Sequence, residues 1–184
     1  HGIHFNDAEL KRLAETGTGV AHCPISNMKL SSGIARIPEM LKLGVRVGLA
    51  VDGSASNDGS DLLEELRTGF LLHRLNSSSA APTGYDMLKI ATRGSASILG
   101  RDDIGQIAEG MAADFFLINM DRLSLTGAQF DVSSMLGTVG YKGNVDYTVV
   151  NGRVVVREGR LTGVDEEKIT AEANQCVSRY LGRS

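Results

Sequence analysis

Two hydrophobic periods alternate along the first hundred residues, one of helices and one of buried strands, with glycines and polar clusters between them. Residues 7–16 put Leu10, Leu13 and Ala14 at helical spacing, and Gly17 and Gly19 stop the helix. Residues 19–22 read as a short strand. A second amphipathic helix is expected over 37–43, ended by Gly44. Residues 45–51, Val-Arg-Val-Gly-Leu-Ala-Val, are almost continuously apolar, the pattern of a parallel strand buried on both faces. A polar loop from Asp52 follows, and Ser60 or Asp61 can cap a long helix running from 62 to about 74, with Leu63, Leu66, Phe70 and Leu71 on its inner face. Helix is also expected over 87–92, with a short helical turn at 94–99.

Past residue 112 the character changes. Residues 113–119, 147–157 and 160–162 read as strands, Asn151-Gly152 is a strong hairpin signal, and 165–181 closes the chain as a helix with Asp165 as cap. The repeat of helix, strand and polar loop predicts an α/β fold with a parallel sheet, whose chemistry belongs at the C-terminal strand ends. Three parallel strands cut from such a fold leave an open edge, so the chain is expected to need a missing half and to associate without it.

Composition narrows the function classes. Of 184 residues, 42% are apolar and 22% charged, as in an ordinary globular protein. The net charge is −3 and the Lys and Arg residues are scattered, which argues against nucleic-acid and membrane-surface roles. Two cysteines, Cys23 and Cys176, form no zinc-binding or stapling pattern, so a cytoplasmic setting is expected. The chain begins His-Gly-Ile-His, with no Met and no targeting features, and its first residue is expected to be an internal point of a longer protein.

Asp52 is the sharpest chemical signal, a lone carboxylate directly after a buried strand. Position alone leaves two readings equally open: a metal ligand or general base, or a turn cap acting through Gly53. His1, His4 and His22 stand at the edges of expected strands, where imidazole suits proton transfer or ligation, although a lone histidine is more often structural. Pro24 fixes a turn after His22, and Ser26 and Asn27 offer donors and acceptors at the same rim. Cys23 has no paired base, and His73 lies within a helix, far from any polar loop. No dinucleotide or P-loop pattern follows a strand, and the small zinc deaminases' His-x-Glu and Pro-Cys-x-x-Cys are absent.

Four segments together resemble the amidohydrolase superfamily, in its branch of cytosine, guanine, S-adenosylhomocysteine and triazine deaminases and chlorohydrolases. They are His1-Gly-Ile-His4, His22-Cys-Pro-Ile-Ser-Asn through Gly33, Gly48-Leu-Ala-Val-Asp-Gly-Ser-Ala-Ser-Asn57 and Gly110-Met-Ala-Ala-Asp114. Within the branch, the stretches around His1, His22, Ser32 and Asp52 are most similar to 8-oxoguanine deaminases. The resemblance implies a (β/α)8 TIM-type barrel joined to a small β-sandwich. Residues 1–112 would be the C-terminal part of the barrel with strands six to eight, 113–163 a sandwich segment, and 164–184 a helix packing back on the barrel.

For the site, the resemblance implies one divalent metal, usually zinc, with Asp52 as a metal ligand that also takes a proton from the hydrolytic water. It makes His1 the strand-six histidine that polarises water or substrate, and sets His22 and Asn27 near the pocket. The remaining ligands would lie upstream of His1, so the chain alone is expected to be inactive. The implied reaction is deamination of a purine-type ring, 8-oxoguanine giving urate and ammonia, in a cytoplasmic homo-oligomer that takes small heterocycles. Hydrolysis of a triazine or another heterocycle, or a non-catalytic subunit, are the alternatives.

Overall fold

The computed structural model describes residues 1–182, which form two compact units: His1–Ala112 with Met120–Gly143, and Ala113–Asn119 with the chain from Asn144 onward. The second cut falls elsewhere than the sequence suggests. Residues 120–143, assigned above to the sandwich segment, join the first unit through α7 (Met135–Thr138), where Met135 and Leu136 are buried.

In the first unit, α1 (Asp7–Thr16) starts at a capping box. The Asn6 side chain accepts the N–H groups of Ala8 and Glu9, and Glu9 accepts the N–H of Asn6. Gly17, at φ 63°, ends the helix in the left-handed region. Strands β1 (Gly19–His22) and β2 (Arg46–Leu49) pair in parallel, Val20 opposite Val47 and His22 opposite Leu49. They are linked through α2 (Pro24–Lys29) and α3 (Ile37–Leu43). Leu10, Val20, Ile37, Met40, Val47, Leu49 and Leu66 are all buried and make up much of the core.

Of the three parallel strands expected in this unit the described residues show two, β1 and β2, and residues 1–6 carry no ladder. The helix α4 (Leu62–Ser77) is capped by Asp61, as expected, but its inner face is rotated. Glu65, Leu66, Gly69 and His73 are buried, whereas Leu71 is exposed.

After α5 (Gly84–Lys89), a π-helical turn over 90–94 leads directly into α6 (Ser95–Ile98). This turn lies against the outer edge of β2. A Cβ on Gly94 would come within 2.1 Å of the Val47 carbonyl oxygen, so only glycine fits there. The Leu49 N–H donates to Ser95 Oγ at 3.1 Å. The chain's own helix thus satisfies the edge groups that a neighbouring strand would otherwise take up.

The second unit is an antiparallel sheet in the order β3 (Phe115–Leu117), β4 (Tyr147–Val150), β5 (Arg153–Arg157), β6 (Arg160–Leu161). Asn151 and Gly152, at φ 47° and 77°, make the β4–β5 turn, the pair of positive angles that a right-twisted hairpin requires. The terminal helix α8 (Glu166–Tyr180), capped by Asp165, groups with this sheet. The last two residues of the helical segment expected to pack on the barrel lie outside the described residues. Among the described residues no helix is long and apolar enough to cross a membrane.

Candidate active site

Beyond β2 the chain leaves the sheet and turns at Asp52, whose φ of 68° puts a non-glycine residue in the left-handed region that Asp and Asn tolerate best. The carboxylate is held from three sides. Ser26 Oγ donates to Oδ2 at 2.6 Å and Ser56 Oγ at 2.7 Å, while His1 Nε2 lies 3.5 Å away. The Ser26 hydroxyl, then that of Ser56, then the Gly53 backbone N–H hold the Asp52 carboxyl below the usual range. Asp52 is therefore an anion throughout the neutral range, with hydroxyl groups rather than a cation to steady it.

Its partners come from one turn of chain. Pro24 opens α2 directly after β1, so Ser26 and Asn27 fall within the first turn and a half and are both buried. Ser26 reaches Asp52, and Asn27 Oδ1 lies 2.7 Å from His1 Nδ1. His1, His4, Asn27 and Asp52, with the apolar Phe5 and Leu30, line an open cleft of about 630 Å³. Three of the residues singled out from sequence, His1, Asn27 and Asp52, thus meet at one cleft, with exposed His4 at its margin.

His22 does not line that cleft. It is fully buried, with its Nε2 3.0 Å from Nε2 of an equally buried His73. Two imidazoles facing each other in this way share one proton between the facing nitrogens, so both remain neutral. Burial, reinforced by His73, pushes His22 down to about 3, and burial pushes His73 down to about 4. Their Nδ1 atoms have no protein partner. Cys23 is buried as well, and its thiol is pushed up to about 11, which removes it as a nucleophile.

Composition and spacing did not point to Glu65, which is fully buried on α4. Its Oε2 accepts the Ile25 N–H at 3.1 Å and its Oε1 accepts from Asn57 Nδ2 at 2.5 Å. Burial pushes this carboxyl up to about 7, against the pull of the Ile25 N–H. One turn further along α4, Gly69 lets the helix approach. A Cβ there would stand 2.7 Å from the Met87 methyl and 3.5 Å from Pro24. A signal for this face exists in the sequence, since Glu65, Gly69 and His73 repeat every fourth residue. It is a polar stripe of the kind usually assigned to solvent.

As a metal site, the cleft lacks a complete set of donors. The Asp52 carboxylate is anionic and hard, but among the described residues no group of three His, Cys, Asp or Glu side chains could hold an ion. The residues present fit a divalent metal as one ligand of a set.

Comparison with known proteins extends the likeness across the chain. The model of the Amidohydrolase family matches residues 1–155. Hydroxydechloroatrazine ethylaminohydrolase of Pseudomonas sp. (strain ADP) is 44% identical, over 98% of this chain and 38% of that enzyme. The 8-oxoguanine deaminase of Pseudomonas aeruginosa is 42% identical, over 98% of this chain and 40% of its own length. A crystal structure of atrazine chlorohydrolase from Arthrobacter aurescens complexed with zinc superposes with a TM-score of 0.90 at 34% identity, over 95% of this chain and 39% of that one. The chain therefore spans about 40% of the length of the curated relatives it matches, and its fold is that of a portion of their barrel. It belongs to the amidohydrolase family.

Proposed function

We propose, from membership of the amidohydrolase family, that this chain is the C-terminal part of a metal-dependent aminohydrolase that removes an amino group from a nitrogen heterocycle. The substrate we favour is a purine-type ring, 8-oxoguanine, giving urate and ammonia. The observation that carries the reading is the anionic Asp52 at the end of a parallel strand, with the His1 ring 3.5 Å away across an open cleft.

The reaction consumes one water. Its oxygen bonds to the ring carbon that bears the amino group, the carbon–nitrogen bond breaks, and ammonia leaves with a proton that came from water. A bound divalent metal, zinc in the atrazine chlorohydrolase structure, would supply a water acidic enough to attack at neutral pH. Asp52 would be its one ligand from this chain, the others coming from the remainder of the protein.

The second task of Asp52 is to accept the water's proton and pass it on, which an anion steadied by two hydroxyls can do without first losing a proton of its own. His1 Nε2, beside it, is placed to hydrogen-bond the water or the ring. The Asn27 contact at Nδ1 fixes the imidazole's orientation.

The test is the complete protein, assayed for bound zinc and for ammonia and urate formed from 8-oxoguanine. We expect turnover that disappears on chelation and returns with zinc. A metal-free protein with no turnover of any amino-substituted heterocycle would overturn the reading. The 44% identity to the ethylaminohydrolase favours one alternative substrate, an ethylamino-substituted hydroxytriazine. Release of ethylamine from it, with no ammonia from 8-oxoguanine, would move the substrate class and keep the chemistry.

A further inference from the structure

We propose that Glu65 is a positioning residue for this cleft: its buried carboxyl fixes the two chain segments that hold Asp52 in place. The inference rests on Asp52 and His1 being the reacting pair.

The starting point is a defect in α2. A helix needs its first N–H groups satisfied, and the residue before this one, Cys23, makes no side-chain cap. Glu65 supplies the missing acceptor from 40 residues away, taking the Ile25 N–H on Oε2. The next two residues of α2 are Ser26, which donates to Asp52, and Asn27, which meets His1. The place of both is therefore tied to the anchor at Ile25.

The other oxygen of Glu65 acts on the second segment. Oε1 accepts from Asn57 Nδ2, and Asn57 in turn accepts the Ser60 N–H on Oδ1 at 3.3 Å. Asn57 ends the short turn that begins at Asp52, with its own N–H bonded to the Gly53 carbonyl at 2.9 Å. Ser56, the second hydroxyl on Asp52, lies inside that turn. One carboxyl thus anchors both hydroxyl donors of Asp52, each through the backbone segment that carries it.

Three further facts fit a positioning role better than a general packing one. Glu65, Asn57 and Ser26 are all buried, so water cannot stand in for a lost bond. The hydrogen bonds of Glu65 go to Ile25 and Asn57 rather than to Asp52 or the cleft lining, so its hold on Asp52 runs through those segments. Pro24, next to Ile25, packs beside α4 at Gly69, where even a Cβ would make only ordinary contact with it at 3.5 Å.

The test uses the complete zinc-loaded protein with 8-oxoguanine and the variants Glu65→Met and Glu65→Gln. For Glu65→Met we expect kcat to fall about 10²-fold, the scale of a misplacement near 1 Å, with KM nearly unchanged. Glu65→Gln can still accept the Ile25 N–H and should recover most of the rate. In an Asp52→Asn background Glu65→Met should cost nothing more.

A crystal structure of Glu65→Met supplies a readout independent of the chemistry. The Ser26 to Asp52 contact of 2.6 Å should open or become disordered. A folded Glu65→Met variant with unchanged kcat and an unchanged contact overturns the proposal. If the wild type has no aminohydrolase activity, the functional reading fails and the contact still decides the positioning role. If Glu65→Met does not fold, Asn57→Ala removes one of the two ties and is judged by the same contact: a loosened contact supports the role and an unchanged one overturns it.

Discussion

Asp52 and Glu65 are carboxyl groups at the two ends of one loop, and their surroundings drive them in opposite directions. Asp52 stands at the cleft with two hydroxyls on one oxygen and is held below the usual carboxyl range. Glu65 lies fully buried and is pushed up to about 7, even though it accepts two hydrogen bonds. With the Gly53 N–H, Asp52 has three donors against two, a difference too small to separate them so far. Solvent does: water remains available to the first, whereas desolvation outweighs two donors at the second. The exposed group has the environment that the proposed reaction asks of it, and the buried one that which the proposed positioning role asks.

The sharpest way to break that comparison is Asp52→Asn in the complete protein. An amide would cap the turn almost as well as the acid, so the fold should survive with its melting temperature nearly unchanged. Activity should fall by more than the roughly 10²–10⁴-fold ascribed to general acid–base catalysis alone, because ligation suffers too. Steady-state rates with zinc analysis check this. Retained rate with full zinc content would leave Asp52 as a turn residue.

The buried side makes its own prediction about pH. Both imidazoles titrate near 6.5 in the unfolded chain and at about 3 and about 4 in the fold, so the unfolded state binds two more protons as pH drops below 6.5. Their stability contribution is complete above that pH and is lost on acidification. Glu65, raised from 4.5 to about 7, works the other way and loses stability as pH rises through that window. Between about pH 4.5 and 6.5 the unfolded state binds more protons on balance, so stability should climb with pH across that window, then turn downward until about 7. Urea titrations at half-unit intervals measure it, and a flat profile would mean that these groups are not buried together.

A smaller effect is expected from the histidine pair itself. His73→Leu leaves the facing nitrogen of His22 without a partner and should cost about 1–3 kcal/mol in urea unfolding. Adding His22→Phe removes the stranded group and should recover part of the loss. The smallest changes belong to the exposed side. Ser26→Ala should raise the Asp52 carboxyl more than Ser56→Ala does, since the Ser26 hydroxyl is the stronger influence. Carbon-13 NMR of the aspartate carboxyls ranks them directly.

Much of the framework was legible in the sequence because local chemistry decided it. Gly17 and Gly44 end their helices, Asp61 and Asp165 cap theirs, and Asn151-Gly152 turns its hairpin. Asp52 was legible for a similar reason, as a charge at the end of an apolar strand. The face of α4 was not. Apolar periodicity assigns Leu71 to the interior and Glu65 and His73 to water, yet the reverse holds because Asn57, Ile25 and His22 wait on the other side. These partners are 8 to 51 residues away along the chain, and no local pattern specifies such a meeting.

The π turn over 90–94 has a consequence for how this sheet can grow. With Gly94 against the Val47 carbonyl and Ser95 on the Leu49 N–H, the edge groups of β2 at these two residues are taken by the chain's own helix. Among the described residues β1 pairs with β2 alone. A strand from the remainder of the protein can add beside β1, whose second side is unpaired. Over the stretch of the π turn the exposed edge is guarded by a helix of the same chain, which keeps indiscriminate pairing away from β2.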